Sequence, residues 1–162
     1  MDIKIKAVVI TISDRCARGE QEDLSGKELV KLLCEIGAHI VQTLVVSDSL
    51  EPLINTLKTQ ADRDGVNLIV TTGGTGFSPR DNTPEATRAV IEREAPGLSE
   101  AMRIETRQKT PQAILSRAVC GTRNGTLIIN LPGSVAGVRE CLRVIAGVLP
   151  HAISVIRGGS HD

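Results

Sequence analysis

Between Thr71 and Thr87 the chain reads TTGGTGFSPRDNTPEAT: three glycines within four residues, then an Arg-Asp pair, then Thr-Pro-Glu. Successive glycine and threonine N–H groups after a strand can curl into an anion-binding nest, and a helix opening at Thr83 adds the positive end of its dipole. A phosphate suits such a place. Asp81 beside it would repel that phosphate unless a divalent cation lies between them or the acid handles a proton. Asp48, in the triplet Ser47-Asp48-Ser49, could serve the same cation. Two acids and a glycine nest point to Mg²⁺-assisted chemistry on a nucleotide.

The familiar phosphate motifs do not fit. A Walker A loop needs a lysine to reach the outer phosphates, but Phe77, Ser78, Pro79 and Arg80 follow Gly76. A dinucleotide loop needs glycine where Pro79 stands. The nearest approach to a nucleophile elbow, Gly97 to Ala101, lacks its second glycine. Structural readings stand beside the functional ones. The glycines make a tight turn in any case, Asp81 could cap a helix or pair with Arg80, and Asp48 could cap the helix that starts at Leu50. Asp14 and Arg15 could form a solvated pair, and Ser134 could cap the last helix.

The loops must be held by a scaffold, and its pattern alternates. Lys4 to Ile12 is a β-branched run suited to a central parallel strand, His39 to Val46 a second strand and Leu68 to Thr72 a third. Between them, Ser25-Gly26-Lys27-Glu28 reads as a capping box ahead of a helix stopped by Gly37, and Leu50 to Leu57 reads as a helix with Pro52 in its first turn. Thr83 is placed as the N-cap of a helix running to Ile91, with Pro84 at its first position. Later, Ala118 to Thr122 and Thr126 to Leu131 flank Asn124-Gly125, a hairpin signal, and a final helix is interrupted near Gly147 and Pro150. Alternating strands and helices predict an α/β fold with helices on both faces of a mostly parallel sheet. In such sheets ligands bind beyond the carboxyl ends of the strands. There the loops at Ser13 to Cys16, Ser47 to Ser49, Gly73 to Asp81 and Pro132 to Ser134 should meet.

Bulk properties set the frame. The 162 residues suit a single domain over 1–162, with 41% hydrophobic residues but only one Phe and no Tyr or Trp, so the core must be aliphatic. Nineteen basic and nineteen acidic residues balance, and without a basic bank or aromatic platforms a nucleic-acid partner is not expected. Four scattered cysteines and three histidines show no metal-ligand spacing, and His161 is expected to fray with the tail. The run Ala7 to Ile12 near the start, apolar but for Thr11, has six residues, too short for a signal core or a membrane span, so a cytoplasmic protein without a membrane partner is expected.

The glycine stretch, with TISDRCARGEQEDLSG near the start, AILSRAVCG in the middle and LIINLPGS late on, closely resembles the MogA and MoaB family of molybdenum cofactor biosynthesis, which includes the G domain of gephyrin. The likeness runs from about Lys4 to Arg157. It implies a three-layer molybdopterin-binding fold, usually a homotrimer and sometimes a hexamer. It also implies Mg²⁺-dependent transfer of AMP from ATP to the phosphate of molybdopterin. The alternative within the family is a MoaB-like molybdopterin binder with little or no catalysis. Carried over by position, Gly73, Gly74, Thr75 and Gly76 match the nucleotide-phosphate loop, and Asp81 and Asp48 match acids needed for catalysis and candidates for holding Mg²⁺. Ser13, Asp14, Thr83, Ser116, Pro132, Gly133 and Ser134 match segments that approach nucleotide or pterin. Ser49, Asn82 and Val135 stand where relatives often carry an acid, a valine and a proline.

Overall fold

The β-branched run near the N-terminus forms β1 (Lys6–Ile12), and six of its seven residues are buried. It lies inside the sheet because β2 (His39–Val46) and β3 (Leu68–Thr72) pair with it on either side, both parallel. The structure, a computed structural model describing residues 3–160, contains one six-stranded sheet. Its remaining strands are β4 (Arg93–Glu94), β5 (Cys120–Arg123) and β6 (Thr126–Leu131), in the order β2-β1-β3-β6-β5-β4. β6 runs parallel to β3, while β5 and β4 add antiparallel at that edge. The expected mostly parallel sheet with one hairpin is therefore present. His161 lies outside the described residues.

Seven α-helices accompany the strands among the described residues: α1 (Asp14–Ala17), α2 (Leu24–Glu35), α3 (Leu50–Ala61), α4 (Thr83–Val90), α5 (Pro96–Thr106), α6 (Val135–Ile145) and α7 (Leu149–Ile156). Alternation along β1 splits the core in two. Ala7 and Val9 face a cluster with Leu29 and Leu33 of α2, Met102 of α5, Leu142 and Ile145 of α6 and Ile153 of α7. Val8 and Ile10 face Leu53 and Leu57 of α3 and Ala86 and Val90 of α4. This is the three-layer arrangement that two-sided hydrophobic strands require. The core is aliphatic, and Phe77, the sole aromatic residue, is 70% exposed.

Several boundaries differ from the sequence reading. The N-cap of α2 is Asp23, whose carboxylate accepts the Gly26 N–H at 2.9 Å, so Ser25 is a buried helical residue and not the cap. A carboxylate two residues earlier outcompetes the hydroxyl, and the same carboxylate also accepts from Thr11 Oγ1 at 2.8 Å. Asn82, not Thr83, occupies the N-cap position of α4, and α4 ends at Val90. Asn124 and Gly125 have φ of +47° and +76°, the double left-handed turn that Asn-Gly favours between antiparallel strands. Ser134 does cap α6, accepting from the Gly137 N–H at 3.0 Å.

Asn130 links the layers inside β6. Its Nδ2 donates to Thr71 Oγ1 at 3.1 Å and Thr87 Oγ1 at 3.0 Å, and its Oδ1 accepts from the Val119 N–H at 3.0 Å. Asn130, Thr71 and Thr87 are all fully buried. Asn130→Ala strands these partners without water, so a loss of about 3 kcal/mol is expected. The measurement is a lower urea midpoint at unchanged slope; an unaltered midpoint would remove Asn130 from the fold's polar framework.

Candidate functional site

Because β1, β2, β3 and β6 run parallel, the loops that follow them gather at one edge of the sheet. The glycine loop after β3 is bound tightly to its neighbours. The Gly73 N–H donates to Leu131 O at 3.1 Å, and Thr72 Oγ1 donates to Pro132 O at 2.7 Å, so the loops after β3 and β6 are clipped together. Gly73 has φ of +104°, and a Cβ there would lie 2.3 Å from the carbonyl oxygen of Ile12. No side chain fits at that approach. Thr83 sits behind the loop, fully buried, with Oγ1 donating to Gly73 O at 2.9 Å and its N–H to Gly74 O at 3.1 Å. It holds the loop from inside.

Two concavities flank the paired loops. One is a polar cleft of about 400 Å³ lined by Ser13, Asp48, Gly73, Gly74, Asp81, Gly133 and Ser134, among others. The other is a mainly apolar cavity of about 490 Å³ lined by Thr75, Gly76, Met102, Ser116, Pro132 and Ser134, among others. Ser134 lines both, and the glycine loop passes from the cleft at Gly73 and Gly74 to the cavity at Thr75 and Gly76. All sequence-selected residues except Thr83 and Asp14 therefore line one concavity or the other.

The acids have different surroundings. Asp14 and Asp48 exchange main-chain contacts: the Asp14 N–H donates to Asp48 Oδ2 and the Asp48 N–H to Asp14 Oδ1, each at 3.0 Å. Arg80 then grips Asp14 with two bonds of 3.0 Å and reaches Ser49 Oγ at 3.3 Å. Arg80 thus pairs with Asp14, not with Asp81, and Asp14 does not pair with Arg15. The guanidinium holds the Asp14 carboxyl below the usual carboxylate range. Asp48 goes the other way, pushed up by burial and further by the nearby charges of Asp14 and Asp81. It does not cap α3, whose N-cap position belongs to Ser49.

Asp81 accepts the Ser78 N–H at 2.9 Å through Oδ2. Among the described residues, no protein donor meets Asp48 Oδ1 or Asp81 Oδ1. Both acids face the same cleft with an oxygen to spare, whereas Asp14 is neutralised. A cation with hard-oxygen preference fits this donor set, two carboxylates plus oxygens from a ligand. The described residues contain no cluster of three or more His, Cys, Asp or Glu suited to a metal.

Sequence reasoning missed several residues that organise this site. Asn82 donates from Nδ2 to Asp48 O at 2.9 Å, joining the second and third loops. Asn82 and Ser49, two of the three departures from the family pattern, both contact the neighbourhood of Asp48. Asp23, the N-cap of α2, also lines the polar cleft. Arg117 bonds the glycine loop from far along the chain, and no local pattern announces such a contact.

Residues 8–151 match the family model described as "Probable molybdopterin binding domain". The chain is 44% identical over 149 residues to the molybdenum cofactor synthesis protein cinnamon of Drosophila melanogaster, covering 91% of this chain but only 25% of that protein. It is 40% identical over 155 residues to the molybdopterin adenylyltransferase of Helicobacter pylori J99, covering 93% of this chain and 86% of that enzyme. The crystal structure of the molybdopterin biosynthesis enzyme MoaB of Thermus thermophilus superposes with a TM-score of 0.90 at 43% identity, covering 98% of this chain and 99% of that one. Matched by the family model over residues 8–151 and by a solved relative over nearly its whole length, the chain belongs to the molybdopterin-binding domain family of molybdenum cofactor biosynthesis.

Proposed function

We propose that this protein is a molybdopterin adenylyltransferase. The observation that carries the reading is the pair of ionisable acids, Asp48 and Asp81, facing one cleft beside a glycine loop whose other end opens into a second, apolar cavity. Two ligands can then meet at the loop. A flat ring system suits the apolar cavity, and the phosphates of ATP suit the loop and the polar cleft.

In the reaction an oxygen of the molybdopterin phosphate forms a bond to the α-phosphorus of ATP. The bond from that phosphorus to the bridging oxygen breaks, and pyrophosphate leaves with the electron pair. Such transfer asks a protein for positioning and charge neutralisation more than for a covalent nucleophile. The residues at the two concavities divide that work. Gly74, Thr75 and Gly76 present main-chain N–H groups to phosphate while Gly73, whose N–H is taken by Leu131 O, anchors the loop, and Ser13, Ser116 and the Pro132-Gly133-Ser134 turn bound the ligands. Asp48 and Asp81 would hold Mg²⁺, which supplies neutralisation of phosphate charge. Asp14, held by Arg80, braces Asp48 through their paired main-chain bonds.

A single domain over 1–162, a homotrimer or hexamer and a cytoplasmic location complete the proposal; among the described residues no helix is long and apolar enough to cross a membrane. The deciding experiment is incubation of the purified protein with ATP, Mg²⁺ and molybdopterin. Adenylylated pterin and pyrophosphate in equal amounts support the reading. Pterin binding without either product would make it a binding protein of the same family.

A further inference from the structure

Arg117 stands between the 3₁₀ turn at residues 111–115 and β5, 36 residues beyond Asp81 in sequence. Its main-chain N–H donates to Thr75 O at 2.9 Å. Its side chain reaches back into the phosphate loop, donating from Nε to Gly76 O at 2.8 Å and from Nη2 to Asp81 O at 2.9 Å. Nη1 completes the fork on the carboxylate of Glu85, at 3.0 and 2.9 Å, in the first turn of α4. One planar group therefore pins both ends of the exposed stretch 77–80 and ties it to the helix behind.

That stretch needs an external brace. Residues 77 to 80 are all exposed, and its internal bonds are short-range, Asp81 N–H to Ser78 O and Ser78 N–H to Asp81 Oδ2. They shape the turn, and the Arg80 side chain ties its far end to Asp14 and Ser49, but the main chain at Gly76 and Asp81 is held by Arg117. Gly76 approaches the acid so closely that a Cβ there would lie 2.9 Å from Asp81 Oδ2, so a small shift at either end moves the carboxylate. The Glu85 pair, partly exposed, adds little energy by itself; its value is to orient the guanidinium. Lysine, with a compact ammonium and no fork, cannot serve all three partners.

We propose that Arg117 is a positioning residue, which fixes the main chain at Gly76 and Asp81 and so aims the Asp81 carboxylate into the polar cleft. The inference rests on the reading of Asp81 as an acid that acts on bound ATP. Because Arg117 acts through Asp81, its effect should vanish when that acid is gone. A double-mutant cycle of Arg117→Lys and Asp81→Asn tests this, read on ATP affinity in Mg²⁺ by calorimetry and on AMP transfer.

Arg117→Lys alone is expected to weaken ATP affinity in Mg²⁺ but not in EDTA. It should lower kcat by about tenfold or more, with KM for molybdopterin unchanged, as for a catalytic group displaced by a fraction of an ångström. Glu85→Gln should act in the same direction and more weakly. In the Asp81→Asn background, Arg117→Lys should change ATP affinity no further. An equal fractional loss in both backgrounds, or a change confined to KM for molybdopterin, overturns the inference. If Arg117→Lys does not fold, Glu85→Gln replaces it in the same cycle. A wild-type protein that binds ATP but transfers no AMP overturns the adenylyltransferase reading alone, and the affinity cycle then decides on Arg117. Wild type without Mg²⁺-dependent ATP binding overturns both.

Discussion

Asp81→Asn is expected to reduce AMP transfer by about 10²-fold or more, the range seen when a charged group acting at the reacting centre is removed. The substitution is chosen because it keeps shape. An asparagine oxygen can still accept the Ser78 N–H that Asp81 Oδ2 accepts at 2.9 Å, so the turn that carries the residue survives. What disappears is one negative charge facing the cleft, together with the oxygen that no protein donor meets. The thermal midpoint should move little, since the residue is half-buried and its main-chain bonds to Ser78 and Arg117 are untouched.

The dependence on cation then separates two roles for Asp81. If the carboxylate holds Mg²⁺, the residual rate should require a higher Mg²⁺ concentration for half-saturation. If it orients the attacking phosphate or takes a proton, the rate falls at an unchanged Mg²⁺ requirement. Activity equal to wild type in the assay would remove Asp81 from the chemistry altogether.

Much of this is legible in the sequence. β-branched runs, glycine stops and the Asn-Gly turn act over a few residues, so β1, β2, β3, β6 and the hairpin could be read locally, and parallel connections placed their ends together. The family motifs located the acids for the same reason. What sequence could not rank was competition between near-equal local partners. Asp23 and Ser25 both offer a cap, and Arg80 could take Asp14, Asp81 or solvent; three-dimensional placement across 66 residues gave it Asp14. β4 was missed because two exposed residues, Arg93 and Glu94, carry no periodicity and pair only because β5 presents an edge. Arg117 was passed over because each of its side-chain partners is more than 30 residues away.

Asp48→Asn should produce an opposite pair of effects, lost transfer and a more stable fold, because the group is held in a state that costs the native structure. Burial raises the Asp48 pKa, and the charges of Asp14 and Asp81 add to it, against the Asp14 N–H and Arg80, which lower it. A carboxylic acid whose folded pKa lies above its unfolded value of about 3.9 binds a proton more readily when folded, so stability falls as pH rises through that interval. Below about pH 3.9 the acid is protonated in both states and no penalty exists. Above the folded pKa, in the protein without nucleotide or cation, the penalty is fully present. Asparagine removes the charge while its amide oxygen can still accept the Asp14 N–H that Asp48 accepts at 3.0 Å. The thermal midpoint of Asp48→Asn should therefore exceed that of wild type at pH 7, with the difference shrinking toward zero as pH falls toward 4 in parallel melts. The same variant should lose AMP transfer by about 10²-fold or more, as for Asp81, because the fold gives up stability to keep this carboxylate ionised in the cleft. A variant less stable than wild type at pH 7, or one with undiminished transfer, would show instead that Asp48 serves the loops and not the ligand.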